Sequence, residues 1–241
     1  MATFPQSHDF GAAFRALRAI LANPDDTKQA FRVIQALGGP AAEKQFTRFK
    51  NSDVGAKILE ERRELLSTLR DQAKLEAMPD GSLGRAYLEF LRSQQITADG
   101  LVAASMEGDL HGTELDAERR IFSDRLRDMH DLWHVVAGYR GDLIGEAAIL
   151  ALSFAQTRSP GVALISVLGF LKEGELPGAR GVIARALVRG HRAAWLSGVD
   201  WESMLARPLQ EVRAELGLSD TPTYDPVYTS DPRFVEAHAT T

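Results

Sequence analysis

Residues 127–157 read RDMHDLWHVVAGYRGDLIGEAAILALSFAQT, and the architecture follows from them. Apolar residues recur at helical spacing up to Ala137, then Gly138 and Gly141 interrupt the pattern. Asp142 is placed to cap a second helix, Leu143 to about Thr157, which Arg158-Ser159-Pro160 breaks. The stretch is therefore two helices joined by a glycine turn, and no alternating strand pattern flanks it.

The rest of the chain reads the same way. Phe10, Phe14, Leu17 and Leu21 share a helix face. Asp25 and Asp26 can cap a second helix carrying Phe31, Ile34 and Leu37, which Gly38-Gly39-Pro40 should end. A long charged helix is expected from Asp53 to Leu75. Pro79-Asp80-Gly81 is a turn, and Ser82 can cap a helix with Tyr87, Phe90 and Leu91 on one face. Thr113 is placed to cap a helix from about Leu115 to Ala137. Gly161–Leu171, Gly181–Leu196 and Pro208–Leu216 complete the set. The predicted fold is an all-α, single-domain helical bundle over residues 1–241, with 219–241 as an extended C-terminal tail.

Composition narrows the chemistry. The chain has 241 residues and is 44% hydrophobic, enough for a sizeable core. A net charge of -5 argues against nucleic acid as a partner. Without cysteine, thiolate zinc sites, iron–sulfur clusters, disulfides and cysteine nucleophiles are excluded, so any metal must take nitrogen and oxygen ligands. Asp9, Arg15 and Arg18 interrupt the early apolar stretch, which leaves no secretory h-region. The apolar runs 147–155 and 161–171 fall short of the roughly 20 residues that span a bilayer. A cytoplasmic protein with peripheral membrane contact is expected.

His130 and His134 are one helical turn apart and face the same way. Asp131 lies about 100° round from His130 and about 60° from His134. After eleven intervening residues, Glu146 opens the next helix, and the glycines between permit the reversal that returns it to the histidines. The four residues are candidate ligands for one divalent ion: zinc, with iron or manganese as alternatives. Histidines four apart also occur as ordinary structural residues. Glu146 favours a metal, because it precedes Ala-Ala-Ile-Leu-Ala-Leu and a carboxylate beside such a surface needs a partner. An HD-type phosphohydrolase would need a separate upstream histidine, for which His111 is the nearest candidate, and the tight HDxxH does not belong to that pattern.

These residues resemble a known family. The block from Arg127 to Tyr139, with Glu146, is similar to the HDxxH-x11-E signature of the coenzyme Q biosynthesis protein 4 family. Pro79–Tyr87, Val199–Glu202 and Val212–Gly217 resemble further stretches of it, so the likeness runs from about Leu75 to Leu218. The resemblance implies a role in ubiquinone biosynthesis on a polyprenylated aromatic head group. The implied reaction is metal-dependent oxidative decarboxylation, replacing the ring carboxylate by a hydroxyl, with Asp131 and Glu146 as candidate catalytic residues. It also implies polyprenyl lipid and other quinone-biosynthesis proteins as partners, and peripheral association with the inner membrane. A homo-oligomer is compatible with it. The alternative is a non-catalytic lipid-binding scaffold whose metal is structural.

Other residues admit two readings each. The apolar helices after Glu146 are either ordinary core or the walls of a prenyl tunnel. Arg185, Arg189 and Arg192 form a basic stripe, either solvated or facing an anionic headgroup. His191 is expected in the core. Arg85 is either a salt bridge or a contact for a substrate carboxylate. Tyr139 either packs into the bundle or approaches the open side of the ion.

Overall fold

The computed structural model describes residues 3–22, 27–94, 97, 115–173, 176–228 and 231. They form helices α1 (Phe10–Ala22), α2 (Thr27–Lys50), α3 (Asp53–Glu61), α4 (Leu65–Arg70), α5 (Gln72–Glu76) and α6 (Leu83–Gln94). After these come α7 (Ala117–Asp128), α8 (His130–Ala137), α9 (Leu143–Thr157), α10 (Pro160–Glu173), α11 (Ala179–Arg192), α12 (Trp201–Met204) and α13 (Leu209–Leu216). A 3-10 turn, Leu196–Gly198, separates α11 from α12. Strand structure among the described residues is limited to one isolated bridge between Ser82 and Pro208. The all-α bundle is as expected.

The centre of the bundle is α9. Ala148, Ile149 and Leu152 are fully buried, and α9 packs chiefly on α11 and α10, while α10 leans on α2. With no surface reachable by water, these α9 residues line no tunnel. Of the run 147–155, Ala148, Ile149 and Leu152 are close-packed core, whereas Leu150, Ser153 and Phe154 are half-buried. Each large apolar side chain so buried contributes roughly 1.5–3 kcal/mol. No helix among the described residues is long and apolar enough to cross a membrane.

Four predicted boundaries move, one of them the end of the Gly181–Leu196 helix, which stops at Arg192 and leaves Leu196 in the 3-10 turn. Gly38-Gly39-Pro40 does not end α2, which continues to Lys50 with Pro40 inside it. Proline lacks the N–H that would bond the carbonyl of Ala36. That carbonyl instead accepts a bond from the backbone N of Asp9 at 2.8 Å, so the cost is offset by docking the N-terminal segment. The glycines serve that docking: a Cβ on Gly39 would stand 2.1 Å from the Pro5 oxygen. The long Asp53–Leu75 helix is three helices. Arg62 adopts a left-handed conformation with φ 50°, and Arg63 turns to meet Asp200 at 2.8 Å. Turning the chain there lets Leu65, Leu69 and Leu75 all reach the core. The Leu115–Ala137 helix is α7 followed by α8, divided at Met129 and capped by Asp116. Asp25, Asp26, His111 and Thr113 lie outside the described residues.

The caps at Ser82 and Asp142 form as expected, bonding Arg85 N and Ile144 N. The described part of the tail has no helix, yet it is not loose. Val227 is buried, and its N and O atoms bond Asp142 Oδ1 and Leu143 N.

Candidate metal centre

Helix α8 ends at Gly138, whose φ of 76° lies in the left-handed region that glycine adopts without strain. The reversal there, with the Asp142 cap following, returns the first turn of α9 to the face of α8. Glu146 therefore meets both histidines. Its Oε2 lies 3.5 Å from His130 Nε2, its Oε1 lies 3.4 Å from His134 Nε2, and the two Nε2 atoms are 3.3 Å apart.

Those spacings carry information. Four ligands at the 2.0–2.1 Å bond lengths of zinc, arranged tetrahedrally, stand roughly 3.3–3.4 Å from one another. The donor set and its spacing therefore fit one divalent ion. Three of the four predicted ligands converge in this way. Asp131 does not join them. It is buried beside the histidines, but its carboxylate oxygens lie outside the cluster that the other three ligand atoms form.

The second ring nitrogen of His134 is fixed by the backbone. His134 Nδ1 is 3.2 Å from the carbonyl of Tyr139 and donates to it, which leaves the Nε2 lone pair for an ion. Phe90 of α6 stacks on the same imidazole with centroids 5.3 Å apart. His134 is 0% exposed, His130 26% and Glu146 47%, so the cluster is closed behind His134 and open to solvent on the Glu146 side.

Electrostatics tie the group together. Burial opposes ionisation of Glu146, but the charges of His134 and His130 outweigh it and hold the carboxyl well below its usual range. Burial works against a charge on His130 as well. Contact with Glu146 and the charge of Asp131 outweigh that and raise its pKa. For Asp131 burial wins, and its pKa is raised.

The remaining candidates stand elsewhere. Arg85 bonds Asp80 at 3.0 Å and the Glu76 carbonyl at 2.6 Å, the salt-bridge reading. Tyr139 packs into the bundle between Tyr224 and Arg189, its hydroxyl buried and its pKa raised by burial. What reaches the site is its carbonyl. His191 is exposed rather than core, bonding the Leu187 carbonyl of its own helix. The basic stripe divides: Arg185 and Arg192 are solvated, whereas Arg189 is buried. Sequence reading did not find Phe90's stacking role, Arg189, Arg213 or the strap formed by Tyr224 and Val227. Their partners are backbone atoms, rings and carboxylates distant in the chain, which leave no local pattern.

Two imidazoles and a carboxylate on consecutive helices make this an all-α protein with a preformed site able to hold a metal ion. The chain belongs to the family described as Coenzyme Q (ubiquinone) biosynthesis protein Coq4, whose model matches residues 7–222. It is 29% identical over 176 residues to the mitochondrial ubiquinone biosynthesis protein COQ4 homolog of Bos taurus, covering 72% of this chain and 64% of that protein. To the Danio rerio homolog it is 31% identical over 180 residues, covering 73% and 63%. The chain thus spans just under two thirds of the length of these curated relatives. A crystal structure from Nostoc punctiforme PCC 73102, provisionally named a ubiquinone biosynthesis protein, shares the fold. Its TM-score is 0.64 at 19% identity, over 89% of this chain and 100% of that one.

Proposed function

We propose that this chain is a metal-dependent enzyme of coenzyme Q biosynthesis. It removes the carboxylate from a polyprenylated hydroxybenzoate-type ring and leaves oxygen on that carbon. The observation that carries the reading is the His130–His134–Glu146 cluster, buried on one side and open on the other. A purely structural zinc site is closed on all sides.

His130, His134 and Glu146 hold the ion, with zinc the first choice and iron or manganese the alternatives. When bound, the ion supplies positive charge that lowers the pKa of a phenol or carboxylate oxygen on the ring. Asp131, buried beside the histidines, accepts a proton from the substrate. The reaction balances with dioxygen as oxidant: a para-hydroxybenzoate ring and O2 give the para-quinone, carbon dioxide and water. The ring supplies the electrons, so a redox-inactive ion suffices.

The prenyl chain runs along the outer face of α10, where Leu164, Val167, Leu168 and Leu171 fall at i, i+3, i+4 and i+7. Val167 and Leu171 are exposed, and Leu164 and Leu168 are half-buried. Gly169, on the side of α10 about 150° round from that stripe, lies against Ala147, the neighbour of Glu146, so the helix that carries the stripe packs beside the site. The exposed Phe10 and Phe14 on α1 add apolar surface for peripheral contact with a membrane.

Elemental analysis and complementation test the reading together. The purified chain carries about one divalent ion, and His134→Ala loses it. Asp131→Asn folds, binds metal and fails to restore quinone synthesis in cells lacking their own protein. Full metal occupancy in His134→Ala defeats the metal assignment. Full complementation by Asp131→Asn defeats its catalytic role and favours the scaffold.

A further inference from the structure

An α-helix leaves its last four carbonyls without intrahelical partners. At the end of α8 the first of these, on His134, accepts the N–H groups of Gly138 and Tyr139 at 2.8 and 3.1 Å. The other three are taken by two arginines from distant helices. Arg213 of α13 donates to Val135 O at 2.9 Å and to Val136 O at 3.1 Å. Arg189 of α11 donates to Ala137 O at 2.9 Å. Arg189 also lies over the ring of Tyr139, 5.3 Å from its centroid, and bonds Asp220 at 3.2 Å.

This is an unusual use of charge. Arg189 is buried and Arg213 half-buried, and Arg213 forms no ion pair among the described residues. Burial and the nearby charge of Arg189 both disfavour its proton. What compensates is the negative end of the α8 dipole together with two carbonyl acceptors, Val135 O and Val136 O. The turn so fixed, Ala137-Gly138-Tyr139, is the one that delivers the Tyr139 carbonyl to His134 Nδ1.

We propose that Arg189 and Arg213 are positioning residues for the metal centre. They lock the last turn of α8 so that Tyr139 O holds the proton on Nδ1 of His134 and Nε2 presents its lone pair to the ion. If that turn loosens, the other tautomer gains population and places a proton where the ion should bind. The ion rests on the function proposed above; the tautomer lock does not.

The test compares Arg189→Met and Arg213→Met with Arg119→Met. Arg119 is a well-buried arginine that holds Glu43 and Asp116, away from α8. Zinc affinity is measured by competition with a chromophoric chelator. The metal-free proteins are examined by nitrogen-15 NMR of the histidine rings. Both positioning variants should lose roughly tenfold to a hundredfold in zinc affinity, the usual effect of removing a partner that orients a ligand. Their His134 signals should show mixed tautomers. Arg119→Met should lower the melting temperature and leave affinity and tautomer unchanged. Zinc affinity equal to wild type in both variants, or an unmoved His134 tautomer, overturns the proposal. Should either methionine variant fail to fold, Arg189→Lys and Arg213→Lys retain one donor each and are predicted to show intermediate affinity; wild-type affinity in them overturns it equally. A wild-type chain that binds no zinc defeats the metal reading instead, and the NMR comparison still decides the lock.

Discussion

The ring of Phe90 lies against the imidazole of His134, centroids 5.3 Å apart and planes 26° from parallel. It closes the side of His134 that faces α6 and so forms one wall of the candidate metal centre. Phe90→Ala removes a half-buried ring and leaves a gap there. The expected cost is about 2 kcal/mol, below the range for a fully buried phenylalanine. Urea unfolding of the metal-free protein measures it. A midpoint equal to wild type would show that the stack contributes nothing to stability.

Acidity should separate the metal-free protein from the loaded one. Glu146 is held below its ordinary pKa of 4.5 and His130 above its ordinary 6.5. The depressed carboxyl stabilises the fold at all pH above 4.5, and that contribution is lost as pH falls through its folded value. The raised imidazole stabilises it below 6.5, and that contribution is lost as pH rises through its folded value. Between the two the metal-free pair contributes in full. An ion must displace the imidazole proton, so its stabilisation grows with pH. The melting-temperature gap between zinc-loaded and chelator-treated protein should widen from about pH 5.5 to about pH 8. A gap that is flat over that range would exclude His130 as a ligand.

The Asp142 carboxylate receives bonds from Ile144 N at 3.1 Å, Val227 N at 3.1 Å and the Tyr224 hydroxyl at 2.7 Å. Tyr224→Phe deletes one of these and should cost about 1–2 kcal/mol. Asp142→Ala deletes all three in a buried place and should cost about 3 kcal/mol or more. Chemical denaturation orders the two variants. Equal losses would mean that the hydroxyl, not the carboxylate, dominates the strap.

Gly190 lets α11 touch α9. A Cβ there would lie 2.8 Å from the Leu152 carbonyl and 2.9 Å from the Ala155 Cβ. Gly190→Ala should therefore destabilise by about 1–3 kcal/mol despite alanine's better helix propensity. A thermal melt that rises would show that the two helices separate at no cost.

Local chemistry was legible in the sequence wherever donor and acceptor are close in the chain. Ser82 and Asp142 read as caps because a cap bonds a backbone N–H two or three residues on. His130, His134 and Glu146 read as a cluster because one helical turn and one glycine reversal fix their relation. Pro40 read as a helix end because the residue that takes up the Ala36 carbonyl, Asp9, belongs to a distant segment. His191 read as core from its apolar neighbours at four-residue spacing, yet the helix presents it to solvent. Arg189 read as one of three equivalent surface arginines. Only the packing of α11 against the end of α8 distinguishes it from Arg185 and Arg192. Asp131 marks the limit of angular reasoning, since a helical step of about 60° from His134 permits convergence without enforcing it.

The clasp on Asp142 also orders events in time. Asp142 opens the helix that carries Glu146, but Tyr224 and Val227 follow it by 82 and 85 residues. During translation all three ligands emerge well before the strap that pins the junction between their helices. The nascent chain thus exposes its ligands before the angle between those helices is fixed. A product truncated before Tyr224 would retain His130, His134 and Glu146 yet lack the strap that pins the junction between their helices.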